Sequence, residues 1–130
     1  METLHEYIKR HQGNKEKSSS FAEYLYWLMD KRGIENPAEV YGKANISRQL
    51  WSSIVSGKSH PSLNACLKIA LSLKTSNREC KYLLKKAGYT LTSSNRFALI
   101  IRYAIENKIY ALSEVNALLE ANGYGDSLLI

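Results

Sequence analysis

The stretch from Asn36 to Ser62, N-P-A-E-V-Y-G-K-A-N-I-S-R-Q-L-W-S-S-I-V-S-G-K-S-H-P-S, decides the fold. It reads as helix, tight turn, helix, stop. Asn36 caps a helix through its side-chain oxygen, and Pro37 suits the first helical position because its missing N–H has no intrahelical partner. Glu39 falls in the first turn, where the helix dipole favours negative charge. Asn45 then breaks the segment, since Asn enters the left-handed region cheaply. Ser47 caps a second helix over Arg48, Gln49, Leu50, Trp51, Ser52, Ser53, Ile54 and Val55. Gly57 stops it, and Pro61 forbids early resumption.

Two short helices joined by a turn of three or four residues make a helix-turn-helix, whose second helix is sized for the major groove. Trp51 and Ile54 fall where the two helices must pack, so both are expected in the core. The run Ser47-Arg48-Gln49, then Trp51 and Ile54, then Ser56-Gly57-Lys58 and Pro61-Ser62, resembles the helix-turn-helix of the Cro and phage-repressor family. The resemblance spans roughly residues 21 to 87. It implies an all-α fold with a five-helix lambda-repressor-like core. Two positions depart from the family pattern: Tyr41 stands where a small residue is usual, and Val55 where an acid is usual.

The resemblance implies a repressor-like regulator of transcription that reads double-stranded DNA with residues 47–56. At the start of that helix Arg48 suits guanine O6 and N7, and Gln49 suits adenine N6 and N7. Ser52 and Ser53, one turn on, reach a base or a phosphate. Backbone contacts are expected from Asn36, Lys43, Ser47, Ser56, Lys58 and Ser59. Leu50 faces outward beside the readers, and with Tyr41 it suggests the alternative: a protein-interaction module on the same fold, such as an antitoxin or anti-repressor.

Charge supports a polyanionic partner. The chain carries +6, but unevenly: residues 1–39 hold −1, residues 40–105 hold +10 and residues 106–130 hold −3. A basic middle that coincides with the motif is what phosphate binding needs. An enzyme is not expected. No carboxylates pair at catalytic spacing, no glycine-rich phosphate loop appears, and His5, His11 and His60 are scattered. No cofactor and no metal site follow, because neither Cys66 nor Cys80 belongs to a C-x-x-C set. Both thiols read as core residues rather than a disulfide.

At 130 residues and 45% hydrophobic content, the chain suits one domain with appendages. No run of eighteen apolar residues exists, and Met1 to Glu6 lacks an apolar signal core, so cytoplasmic residence is the expectation. Residues 1–19 read as a short N-terminal helix bearing Leu4, Tyr7 and Ile8, then a polar linker with Lys15 and Lys17. Residues 20–88 read as the DNA-binding domain. Ser20 and Glu23 form a capping box for a helix over 21–31, and further helices follow over 63–73 and 78–87. Residues 89–130 read as a C-terminal helical pair. Its first helix, 95–107, is apolar nearly all round, which predicts burial on more than one side. Its second is predicted to be capped by Ser113. The pair, with Leu128-Leu129-Ile130, either completes the core or makes a homodimer interface.

Overall fold

Ser20 accepts the Glu23 N–H through its hydroxyl, and the Glu23 carboxylate accepts the Ser20 N–H in return. This reciprocal cap starts α1 (Phe21–Lys31). Six more helices follow: α2 (Ala38–Tyr41), α3 (Arg48–Val55), α4 (Leu63–Ser72), α5 (Asn77–Lys86), α6 (Arg96–Glu106) and α7 (Leu112–Ala121). The structure, a computed structural model, describes residues 1–7 and 19–130. Among these there is no strand, and the fold is all-α. Residues 4–7 are helical. The rest of the expected N-terminal helix, and the stretch with Lys15 and Lys17, lies outside the described residues. No described helix is long and apolar enough to cross a membrane.

The core is built around α4. Every residue from Ala65 to Leu71 is buried, so this helix has no solvent face along two turns. It packs on α2 and α5. In turn α1 packs on α3 and α5, and α2 on α3, while α6 joins α5 to α7. Tyr24, Leu25, Leu28, Val40, Trp51, Ile54, Leu67, Leu83, Ile101, Val115, Leu119 and Leu129 belong to one hydrophobic cluster. Cys66 and Cys80 are free and buried, and burial pushes both thiols up to about 12.

Three features define the C-terminal segment, and the first departs from its sequence reading. First, α7 begins at Leu112 with Ala111 as its cap residue and no side-chain cap bond, so Ser113 lies inside the first turn instead of capping it. Second, α6 is buried on more than one side, as expected, without being enclosed: Ala98, Ile101, Ala104 and Ile105 are buried, but Leu99 and Tyr103 stay 46% and 54% exposed. The i, i+4 pair shares one face, and α5 and α7 cover the others. Third, the tail is held against the fold, the first of its two expected arrangements. Asn116 exchanges two hydrogen bonds with Leu129, at 2.9 and 2.7 Å. Asn64 donates to the Leu128 carbonyl at 3.2 Å. Leu129 is buried as a result, and the tail completes the core.

One buried acid locks the C-terminal end of α1 to α5. Glu79 closes a capping box with Ser76 at the start of α5. The same carboxylate meets the Arg32 guanidinium and, at 3.1 Å, the Lys31 ammonium. Burial alone would push this carboxyl up. The hydrogen bonds from Arg32, the Ser76 N–H and Lys31 outweigh it and hold the group at about 2, well below the usual 4.5. The contribution to stability is therefore present above pH 4.5 and is lost as pH falls through about 2. Glu79→Gln is expected to lower the unfolding free energy by about 3 kcal/mol at pH 7. Urea titrations should show the gap between variant and wild type closing between about pH 4.5 and pH 2.

Candidate nucleic-acid interface

The turn between α2 and α3 is fixed by its own backbone. The Asn36 side-chain oxygen accepts the Ala38 N–H at 3.0 Å, as a helix start requires. At the other end of α2, Ile46 N–H reaches back to the Tyr41 carbonyl at 2.9 Å and Asn45 N–H to Gly42 at 3.2 Å. This is the bonding of a left-handed helix stop, with Asn45 at φ 53°. Gly42 is obligatory here: a Cβ would lie 2.7 Å from the Ala38 carbonyl oxygen. Ser47 then accepts the Leu50 N–H and starts α3.

The turn is also held from below. Lys68, buried in α4, donates to the Asn45 carbonyl at 3.4 Å and to the Ile130 oxygen at 2.9 Å. Burial lowers the pKa of its ammonium from the ordinary value. Nothing in the local sequence announces this lysine, because its partners lie 23 and 62 residues away. Lys68 is the main site-supporting residue that sequence reasoning missed; the only signal is a lone cation in an otherwise apolar helix.

Helix α3 divides cleanly into two sides. Trp51 and Ile54 are buried against the core. Arg48, Gln49, Ser52 and Ser56 are exposed, and Ser53 and Val55 are half-buried. At 100° per residue, Arg48, Gln49, Ser52, Ser53 and Ser56 share one arc of about 140°. Leu50 lies about 60° outside that arc on the Ser53 side and is 42% exposed, while half-buried Val55 borders the arc beside Arg48. Tyr41 does not swing outward. It is half-buried, with its ring 5.8 Å from the Trp51 ring at 45°, so it packs where a small residue was expected.

The residues expected to touch the phosphate backbone do not all gather here. Ser47 heads α3, while Ser56, Lys58 and Ser59 follow its C-terminal end. The Ser59 N–H and Ser56 hydroxyl both bond the Ser53 carbonyl, at 3.0 and 3.3 Å, which shapes the loop that presents Lys58. Asn36 is exposed at the start of α2. Lys43 lies elsewhere. It lines a cleft of about 530 Å³ with Lys74, Lys108, Tyr110 and Glu114, at the C-terminal end of α4. The loop bearing Lys58 and Ser59 enters α4 at its opposite end, Ser62.

The basic middle of the sequence is likewise not one face. Lys68 is buried. Lys86 donates to the Ser19 carbonyl and lies over the Tyr24 ring. Arg96 bonds Asn122. Arg78, Lys81, Lys85 and Arg102 line a separate cleft between α5 and α6. The expectation that the +10 segment coincides with the helical pair is corrected: Arg48 and Lys58 are the cations that α3 and its following loop carry. Among the described residues, no group of three or more His, Cys, Asp or Glu side chains is placed to hold a metal ion.

Because the exposed arc and the buried side are separate, substitutions there should separate too. Arg48→Ala and Gln49→Ala are expected to change stability by less than about 0.5 kcal/mol, as exposed positions do. Trp51→Ala should cost about 3–5 kcal/mol, the range for removing a buried aromatic ring. Urea unfolding of the three variants measures the contrast. No protein-family model, no curated protein and no solved structure matches the chain, so its own geometry has to carry the functional reading.

Proposed function

We propose that this chain is a sequence-specific, repressor-like regulator that binds double-stranded DNA and reads the major groove with α3. The observation that carries this reading is the pairing of Arg48 and Gln49 on the exposed first turn of a helix anchored from behind by Trp51 and Ile54. A guanidinium and a carboxamide are the two side chains best matched to purine edges in that groove. Each bidentate pair discriminates against a wrong base by ~1–3 kcal/mol. Lys58 and the hydroxyls of Ser56 and Ser59 follow the helix and supply contacts to phosphate. Ser52 and Ser53 supply shorter donors one turn further along.

Leu50 favours a second reading. Its exposed side chain, nearest Ser53 and turned about 100° from Gln49, suits the methyl of a thymine less well than an apolar partner protein. On that reading the side of α3 that carries Leu50 binds a polypeptide, and the chain is an interaction module. The exposed pair Leu99 and Tyr103 on α6 adds a surface on which a second copy would pack. A two-fold dimer on DNA would place its two α3 helices about 34 Å apart.

Fluorescence anisotropy with labelled duplexes tests the proposal. Log affinity should fall linearly with log salt, by about 0.9 for each phosphate neutralised. Arg48→Ala should flatten the preference among duplexes. Lys58→Ala should weaken binding to every duplex alike and lower the salt slope by about 1. Absence of binding to any duplex at ~50 mM salt overturns the DNA reading. Nuclease-resistant, stoichiometric capture of one cellular protein that Leu50→Asp abolishes would then support the second.

A further inference from the structure

We infer that the cleft between α5 and α6 is a phosphate-binding surface that carries the DNA footprint beyond the α3–α4 loop; this rests on the reading of α3 given above. The cleft holds about 780 Å³ and is lined by Arg78, Lys81, Tyr82, Lys85, Tyr89 and Arg102, with Thr90 and Ser93 among its hydroxyls. Arg78, Lys81, Tyr82 and Lys85 fall within about 100° of arc on α5, so they form one stripe. Arg102 reaches the same cleft from α6.

Like charges at these spacings repel, and a concave surface concentrates their field. The acids that α5 and α6 carry do not line the cleft. Glu79 is buried with Arg32 and Lys31, and Glu106 accepts from Asn77 at the rim. Among the described residues the lining holds Lys81, Lys85 and Arg102 beside Arg78 and no carboxylate, a charge pattern that suits an anion with several charges. The Arg78 guanidinium lies 5.7 Å over the Tyr82 ring, which props it along the stripe.

The cleft is joined to the candidate reading surface. The Tyr89 hydroxyl donates to the Pro61 carbonyl at 2.9 Å, and its ring lies 6.0 Å from His60. Tyr89 is thus both a wall of the cleft and the post that fixes the loop after Lys58. A duplex that leaves the loop meets the α5 stripe next. From Arg78 to Lys85 the stripe runs ~10 Å, about three phosphate steps along one strand. Free polyphosphate or nucleotide presents the same oxygens, so the test must tell the two sources apart.

The double variant Lys81→Gln/Lys85→Gln removes two exposed charges and no buried group. It is compared with wild type on a duplex trimmed to the bases under α3 and on one extended by a turn on each side. The inference predicts unchanged affinity for the trimmed duplex and a salt slope lower by about 2 on the extended one. Hydroxyl-radical protection should also be lost on the flank, with base preference kept. Equal slopes and equal footprints for variant and wild type overturn it. If wild type binds no duplex, the reading of α3 fails on its own account, and titration with tripolyphosphate decides the cleft. Binding by wild type that the variant loses keeps the phosphate site with a free anion as its ligand. No binding, or equal binding by both proteins, overturns the site.

Discussion

The structure depends on one buried ammonium. Lys68 sits in a helix otherwise closed to water, and a charge there is tolerated only if acceptors meet it. Its two acceptors are the carbonyl of Asn45 and the oxygen of Ile130. The first belongs to the turn that orients α3, and the second to the tail clamped by Asn116 and Asn64. One side chain therefore ties the α2–α3 turn, the central helix and the tail. The tail is a structural support of that turn, because its removal would leave Lys68 short of an acceptor.

Given this anchor, α3 has little freedom. Its N-terminus is set by Asn45 and Ser47, and its inner side by Trp51 and Ile54. What remains outside is a polar arc of about 140°, with half-buried Val55 at one edge and exposed Leu50 beyond the other. The cations tell a different story from their order in the sequence. Most of them divide between α3 with its following loop, a cleft at the end of α4 and a cleft between α5 and α6, while Lys68, Lys86 and Arg96 are engaged elsewhere. A partner that engaged only α3 and its following loop would meet two of them, Arg48 and Lys58. A long polyanion that also lay along α5 would meet four more, which makes the size of the partner part of the functional question.

Features with short-range causes were legible in the sequence. The stop at Gly57 and the caps at Ser20 and Ser47 each depend on a residue's own backbone and a neighbour within three positions. So did the inward positions of Trp51 and Ile54, through the helical period. Features with long-range causes were not. Glu79 reads as one acid among many lysines, yet Arg32, 47 residues away, makes it a buried lock. Lys43 looks like part of the motif until the C-terminal ends of α4 and α6 place Lys74 and Lys108 beside it. The start of α7 was misplaced because Ser113 is a better cap residue than Ala111, and tertiary packing overrode that preference. The exposed face of α6 was hidden by its composition, since period alone does not say which apolar side lacks a neighbour.

The central claim is that the first turn of α3 offers Arg48 and Gln49 to a groove. Repeated selection of full-length protein against a pool of randomised duplexes at ~50 mM salt tests it most directly. The account predicts enrichment of a short sequence with guanine and adenine at neighbouring positions, and loss of that enrichment in the Arg48→Ala/Gln49→Ala variant. A pool that stays random, or the same sequence enriched by the double variant, would contradict it.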